Sequence, residues 1–294
     1  HDLVYDFYGK RLATCSSDRH IRVWDQAPIW KQTTSWEAHT GSIWKLAWAH
    51  PEFGQVLASC GFDGQVFIWE EHERGTQFRQ VCNVCKYQKP AVDVKFSPRH
   101  LGLKLATGWQ DGVVRIYEAM DVMNLSQWSL MEEFDVGSKS KDESGCHISW
   151  NPSSFDPPSL VVGNYEGAIK IFQFNDNTRK WSSVDLCSLT DKHTDAIHDI
   201  CWAPNLGRSY HLIASASKDK TVRIWRVELD ASGKWRGILQ EKFNEHNSEV
   251  WRVQWNITGT ILASSGDDGN VRLYQSDHTN SSWKCVQTIS ADKN

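Results

Sequence analysis

One thirteen-residue pattern occurs near the start of the chain and again, with little change, near its end. It reads LASCGFDGQVFIW over residues 57–69 and LASSGDDGNVRLY over residues 262–274. Each copy alternates apolar and polar residues, breaks at an Asp-Gly pair and alternates again, which is typical of two antiparallel strands joined by a tight turn. Because a single hairpin cannot bury its apolar face, repeated hairpins predict sheets that stack on one another.

Six related units extend over almost all of the 294 residues. In each unit a strand ends in an aromatic residue, a loop follows, and a hairpin closes on a second aromatic residue. The first strands end at Tyr5, Trp48, Phe96, Trp150, Trp202 and Trp255, and the hairpins close at Trp24, Trp69, Tyr117, Phe172, Trp225 and Tyr274. This spacing and the Trp-Asp pair at residues 24–25 are typical of WD-type blades, which are four-stranded sheets around a channel. The sequence therefore predicts an all-β fold, a single six-bladed WD-repeat β-propeller over residues 1–294.

A second repeated feature is a set of four residues that form a buried hydrogen-bonded chain in such blades: a loop histidine, a strand hydroxyl, a turn aspartate and the closing aromatic residue. The sets are His39, Ser59, Asp63 and Trp69; His193, Ser215, Asp219 and Trp225; and His246, Ser264 and Asp268 with Tyr274. Recurrence once per blade indicates a structural role and not a catalytic one, since buried polar chains are stable only when every member is paired.

The other blades depart from this set. Blade one shows Thr14, Asp18 and Trp24, and its histidine is expected upstream of His1, where the natural start of the chain is also expected. Blade three has Tyr87 at the histidine position, beside Thr107 and Asp111, and blade four has Val162, Glu166 and Phe172.

The composition excludes several classes of function. A net charge of −4 without a basic stripe disfavours nucleic-acid binding. The sequence contains no run of about 18 apolar residues, so it predicts no membrane-spanning segment. Eight scattered cysteines indicate buried free thiols in a reducing compartment, not a disulfide framework. The pair Cys82 and Cys85 has CxxC spacing but lacks a second ligand pair, so no metal site is predicted.

No enzyme motif is present, whether P-loop, GxSxG or HExxH. The carboxylate pair at residues 267–268 lacks a second acid across a cleft, so we predict no catalytic residue and no cofactor. Two alternatives remain open: an active site at the channel mouth, and a reader of short peptides. A peptide reader would use acidic residues where the loops lead into the inner strands, and the candidates there are Asp2, Asp93 and Asp199.

Three segments lie outside the repeated pattern. Residues 135–145 are polar and charged and predict a surface loop, and residues 153–159 form a second, proline-broken excursion. Residues 283–289 alternate like a strand without a following hairpin, and we predict that this strand completes the outside of blade one.

Several stretches resemble the Seh-one-type nucleoporins, the homologues of Sec-thirteen. They are WAHPEFGQVLASC (48–60), DVMNLSQWSL (121–130), NDNTRKW (175–181), APNLGRSYH (203–211), VWRVQWN (250–256) and WNITGTILASSGDDG (255–269). The related Sec-thirteen subunit of the COPII vesicle coat shares the first of these but generally lacks DVMNLSQWSL and NLGRS, so it ranks second. The loop between residues 70 and 87 and SKSKDES (138–144) depart from animal members.

The resemblance implies a non-enzymatic scaffold subunit without nucleic-acid partners or direct membrane insertion. Members belong to the Y-complex of the nuclear pore at the nuclear envelope, and to the SEA or GATOR complex that controls the TOR kinase at the vacuole or lysosome membrane. In both, an α-solenoid partner supplies strands as a seventh blade to an open six-bladed ring. The expected contacts lie on the inner strands of the first and last blades, at Leu3, Tyr5 and Phe7 and at Trp251, Val253 and Trp255.

Overall fold

The structure is a computed structural model that describes residues 1–73, 77–137, 145–186, 191–277 and 282–290. Within these residues the chain forms six antiparallel sheets of four strands each, and all sheets are formed by consecutive strands. The chain divides into two compact units, His1–Cys146 and His147–Asn294.

The first unit contains sheets one to three. Two short 3-10 helices, Pro51–Phe53 and Arg99–Leu101, lie in the loops after its inner strands β5 and β9. Sheet one comprises β1 (Asp2–Tyr5), β2 (Arg11–Cys15), β3 (His20–Gln26) and β4 (Trp30–Glu37); sheet two comprises β5 (Ile43–Trp48), β6 (Val56–Gly61), β7 (Gln65–Glu73) and β8 (Gln77–Lys86); sheet three comprises β9 (Ala91–Phe96), β10 (Lys104–Trp109), β11 (Val113–Ala119) and β12 (Trp128–Asp135).

The second unit contains sheets four to six, and the first strand of sheet four begins at the boundary residue Cys146. Sheet four comprises β13 (Cys146–Trp150), β14 (Ser159–Asn164), β15 (Ile169–Asn175) and β16 (Lys180–Asp185); sheet five comprises β17 (Ile197–Trp202), β18 (His211–Ser217), β19 (Val222–Leu229) and β20 (Trp235–Phe243); sheet six comprises β21 (Val250–Trp255), β22 (Ile261–Gly266), β23 (Asn270–Ser276) and β24 (Trp283–Ser290).

The predicted hairpins are present in the structure. All six first strands end at the aromatic residue that the sequence indicates, and all six closing aromatic residues lie in the third strand of their sheet. In sheet two the turn requires glycine, because Gly64 has φ of 67° and a Cβ there would lie 2.2 Å from the carbonyl oxygen of Tyr87. The Asp-Gly pair therefore forms the turn between β6 and β7, as the alternating pattern predicts.

The burial of the second strands differs between inner and terminal sheets. Every residue of β6, β14 and β18 is buried, and β10 departs from this only at Lys104. In β2 and β22, by contrast, buried residues alternate with partly exposed ones. Since neighbouring residues of a strand point to opposite faces, sheets one and six bury one face and leave the other incompletely covered.

Two sequence predictions about the ends of the fold are wrong. The last strand, β24, pairs antiparallel with β23 and completes sheet six, whereas sheet one obtains its fourth strand from β4. The inner strand of sheet one also ends at Tyr5, so Phe7 lies in the following loop, where its ring contacts Tyr8 and His50. Of the predicted surface loop at residues 135–145, residues 138–144 lie outside the described part of the chain.

Candidate interaction site

The four predicted members of the polar chain in sheet two lie together. Nδ1 of His39 is 3.0 Å from both carboxylate oxygens of Asp63, and its Nε2 is 2.7 Å from Oγ of Ser59. The indole N–H of Trp69 donates to the same Oγ at 2.8 Å. The backbone N–H groups of Thr40 and Gln65 also donate to Asp63, so one carboxylate fixes both the loop and the turn.

These contacts set the protonation states in the chain. Burial raises the pKa of Asp63, but the hydrogen bonds from His39 and from backbone N–H groups outweigh it and hold the pKa at about 2. The ionised carboxylate of Asp63 accepts a hydrogen bond from the Nδ1–H group of His39. Nε2 then carries the lone pair that accepts from the hydroxyl of Ser59, whose oxygen accepts from Trp69. Each donor in the chain meets one acceptor.

Sheet five repeats this arrangement. His193 places Nδ1 2.8 Å from Asp219 and Nε2 2.7 Å from Ser215, and Trp225 donates to Ser215 at 3.1 Å. Burial lowers the pKa of His193, with the carboxylate of Asp219 opposing it, and this favours the neutral ring. Arg223 adds a contact to Asp219 at 3.1 Å.

The chain in sheet six has a weaker last member. His246 contacts Asp268 at 2.9 Å and Ser264 at 2.6 Å, but the hydroxyl oxygens of Ser264 and Tyr274 are 3.5 Å apart. Arg272 forms an ion pair with Asp268. A phenol thus replaces the indole with a longer contact, because its oxygen extends in a different direction from an indole N–H.

Sheets one and three contain different polar contacts. Trp24 donates to Thr14 at 3.2 Å in sheet one. In sheet three Tyr87 occupies the histidine position, and its hydroxyl lies 3.4 Å from that of Tyr117, while Thr107 accepts instead from Trp109 at 2.7 Å.

The acids expected to read a peptide are used within the fold. Asp2 accepts from the backbone N–H of Leu46 at 3.0 Å, and Asp199 accepts from that of Val253 at 3.1 Å. Asp93 is completely buried. One oxygen of Asp2 and one of Asp199 therefore hold neighbouring inner strands, which gives these carboxylates a role in the fold.

The residues considered for metal binding or catalysis also lie within the sheets or take part in their contacts. Cys82 and Cys85 lie on β8, and burial raises the pKa of Cys85 to about 12, which disfavours the thiolate that binds metals. Among the residues that the structure describes, no three His, Cys, Asp or Glu side chains are grouped as metal ligands. Asp267 accepts from the indole N–H of Trp251 at 2.6 Å, while its neighbour Asp268 belongs to the polar chain.

Sheet one presents an incompletely covered face, here called the open face of sheet one. Its opposite face packs on sheet two through Ala13, Cys15, Ile21 and Val23. The cross-strand pairs Leu3–Thr14, Tyr5–Leu12 and Leu12–Trp24 place these five side chains on the open face. Leu3 and Tyr5 are 57% and 55% exposed, so large apolar side chains on this face are left uncovered.

Sheet six also presents an open face, but Val253 and Trp255, which were predicted to contact a partner, do not lie on it. Val253 and Trp255 are 1% and 4% exposed and pack in the core of the second unit, so they are not available to a partner. Trp251 is partly exposed, and its ring stacks on His198 at 4.0 Å. The open face comprises Gln254, Ile261, Ala263, Val271 and Leu273, which the strand register places opposite to the buried residues.

The alternating hairpins, the four-stranded sheets and the buried polar chains define a WD-repeat protein with the six-bladed β-propeller fold. The family described as "WD domain, G-beta repeat" matches residues 1–25, 30–70, 185–226 and 237–275. These ranges leave out sheet three and most of sheet four, the sheets in which Tyr87 and Val162 replace the usual polar residues.

Full-length relatives narrow this class to one family. Nucleoporin SEH1-B of Xenopus laevis is 47% identical over 319 residues, which covers 100% of this chain and 86% of the relative. Nucleoporin SEH1 of Danio rerio is 46% identical, covering 99% and 84%, and that of Homo sapiens is 47% identical, covering 97% and 84%. The chain belongs to the nucleoporin SEH1 family.

Across the residues described, no helix is both long enough and apolar enough to cross a bilayer.

Proposed function

We propose that this chain is a non-enzymatic scaffold subunit of the nuclear pore complex that binds a partner protein through the open faces of sheets one and six. One observation carries the proposal. The second strands of sheets two to five are buried on both faces, whereas those of sheets one and six are buried on one face only. A sheet whose apolar side chains lack a cover is an aggregation hazard unless a partner occupies it.

The partner that fits these faces supplies β-structure of its own. A sheet packs best against another sheet, with side chains of the two faces interdigitating about 10 Å apart. The resemblance to Seh-one-type nucleoporins supports an α-solenoid protein whose strands act as a seventh blade. Such a contact buries more than about 2,000 Å² in obligate complexes.

The same resemblance supports the proposal that the chain also belongs to a second assembly. The SEA or GATOR complex, which controls the TOR kinase at the vacuole or lysosome membrane, uses the same kind of solenoid partner. Because one chain has a single open face on sheet one and a single one on sheet six, we propose that each copy serves one solenoid at a time. Copies at the nuclear envelope and copies at the vacuole then form separate pools.

The alternative functions have less support. A COPII coat subunit would resemble Sec-thirteen, whereas the relatives that cover this whole chain at 46–47% identity are nucleoporins. A peptide reader would require available carboxylates, whereas Asp2 and Asp199 accept hydrogen bonds from neighbouring strands.

The test replaces exposed residues of the open faces, so that loss of binding is separate from loss of folding. We expect Tyr5→Lys and Val271→Lys each to reduce recovery of the solenoid partner with the tagged chain at least about tenfold, because a buried unpaired ammonium opposes the contact. Mass spectrometry of the co-purified proteins measures recovery and shows which assembly is present.

The matched control is Ile238→Lys, since Ile238 is a comparably exposed apolar residue on the outer strand β20. It should leave recovery unchanged, and all three variants should keep the melting temperature of the parent. Full recovery with both open-face variants would overturn the proposal.

A further inference from the structure

All three methionines of the sequence lie on one hairpin of sheet three, with Met120 and Met123 in the connection from β11 to β12 and Met131 on β12 itself. Met120, Met123 and Met131 are 64%, 90% and 51% exposed, and Val122 and Leu130 beside them are exposed as well. Scattered exposed apolar residues are ordinary, but five within twelve positions (120–131) concentrate exposed apolar side chains on one hairpin. These five residues are here called the methionine patch.

The hairpin that carries the patch is held in place. Asp121 accepts from the backbone N–H of Met123 at 2.8 Å, which fixes the turn. Leu125 is buried in the core, and its carbonyl oxygen accepts from the indole N–H of Trp128 at 3.0 Å. The side chains of the patch are therefore exposed because the anchored backbone directs them outward, and a partner would bind a surface that is already ordered.

The segment that carries the patch is acidic, although the neighbouring loop of sheet three contains Arg99 and His100. Residues 118–137 contain no Lys, Arg or His, and their acidic residues are Glu118, Asp121, Glu132, Glu133 and Asp135. Side chains from the preceding strands offset two of these charges, since Lys104 lies 3.7 Å from Glu118 and Arg115 lies 2.9 Å from Glu133. The remaining charge favours a basic partner and repels anionic lipid and a second copy of this chain.

The edge strand β12 also discriminates between kinds of partner. Its register with β11 shifts between Ile116 and Tyr117, and Met131 is the extra residue of the bulge. A bulge twists an edge strand and interrupts its row of backbone groups, which disfavours addition of another strand. Docking by side chains onto the flexible thioethers is compatible with the bulge.

We propose that the methionine patch docks a basic amphipathic helix of a partner protein. The apolar face of the helix covers the methionines, whose unbranched side chains adapt to its shape, and its basic residues meet the acidic residues around the patch. This site lies on sheet three and shares no residue with the open faces of sheets one and six.

The methionines themselves provide the measurement. In the chain of residues 1–294 labelled with 13C at the methionine methyl groups, the signals of its three methionines all come from the patch. The probe is a synthetic Leu/Lys helix of about 14 residues, roughly four turns, with leucines on one face. We expect all three signals to shift and saturate, and the affinity to fall as salt is added.

Two control peptides separate the contributions. A peptide with glutamate in place of lysine should bind at least about tenfold more weakly, and so should a Leu/Lys peptide whose leucines are scattered around the helix. Equal binding of either control would overturn the proposal, as would signals that shift with anionic vesicles or with chain concentration in place of the peptide.

Variants complete the test. Met123→Gln should weaken Leu/Lys binding at least about tenfold, as followed by the signals of Met120 and Met131, because an amide does not replace the apolar contact. Ile257→Gln, at a comparably exposed apolar residue in a loop of sheet six, should leave the affinity unchanged. Tyr5→Lys should also leave it unchanged, so failure of the open-face proposal is separate from failure of this one. Unchanged affinity with Met123→Gln would overturn the proposal.

Discussion

The buried histidines show how single contacts decide between catalysis and architecture. The side chain of His39 has no exposed surface, and both of its ring nitrogens are engaged by side chains of the same blade. Neither ring nitrogen is therefore open to a substrate. Although a histidine between an aspartate and a serine superficially resembles a catalytic triad, the hydroxyl here points into the core and also accepts from Trp69.

Removing the carboxylate of Asp63 should show how far the stability of the fold depends on the polar chain. Asp63→Ala leaves the Nδ1–H of His39 and two backbone N–H groups without their acceptor, and we expect it to lower the free energy of unfolding by about 2–4 kcal/mol. Urea denaturation followed by tryptophan fluorescence measures the change. The control is Asp18→Ala, at the corresponding turn of sheet one, where the aspartate is exposed and contacts Arg22 and the partly exposed His20 in place of a buried histidine. An equal loss in both variants would contradict the structural role of the chain.

The buried ring of His193 makes stability depend on pH. Burial lowers the pKa of His193 in the folded state, so the unfolded chain binds a proton more readily. Stability is then fully present above the unfolded pKa of about 6.5 and is lost as the pH falls toward the folded value. We expect the midpoint of urea unfolding to fall between pH 7.5 and pH 5.5, with a smaller fall in His193→Gln. An identical pH dependence in the two proteins would refute this account.

Strand ends were predictable from the sequence, but the faces of individual strands were not. Alternation and aromatic residues located each inner strand, since both are local signals. In β21 the register shifts between Val250 and Arg252, so Trp251 leaves the alternation and Val253 and Trp255 point into the core. A bulge leaves no mark in the alternating pattern, and its effect on facing appears only when the partner strand is known.

The pairing of β24 was missed for a related reason. An isolated alternating strand fits the edge of any sheet, and here it pairs with β23, the strand directly before it in the chain. Trp283 is buried and meets Trp255 edge to face, with ring centroids 5.3 Å apart. This contact adds to the pairing with β23 that holds the strand in sheet six.

Loss of that contact should be costly. We expect Trp283→Ala to destabilise the chain by about 3–5 kcal/mol, because it removes a buried indole and leaves a cavity beside Trp255. Val286→Ala, on the same strand but at an exposed position, should change stability by less than about 0.5 kcal/mol. Differential scanning calorimetry compares the two. Similar melting temperatures would show that β24 contributes little to sheet six.

At the level of the whole molecule, composition favours protein partners over nucleic acid. The chain has 36 acidic and 32 basic residues, and the sequence has no basic stripe. The charge balance could be read from the sequence directly, whereas the uneven covering of the terminal sheets became visible only once all strands were assembled.

Binding to DNA should therefore be weak and unspecific. We expect fluorescence anisotropy with a labelled duplex to show no saturable binding by the full-length chain at physiological salt, because few phosphate charges can be neutralised at once. The Met123→Gln variant should behave identically. Tight binding that weakens steeply as salt increases would contradict the expectation.

The buried imidazoles also provide a way to observe opening of the fold in time. A ring proton held between His39 and Asp63 is shielded from solvent, so it exchanges with deuterium only when that part of the molecule opens. His39 lies in the first compact unit and His193 in the second. The exchange rates of the two ring protons therefore report separately on the opening of the two units. Equal exchange rates would indicate that both halves open as a single cooperative body, and unequal rates would reveal which half loosens first.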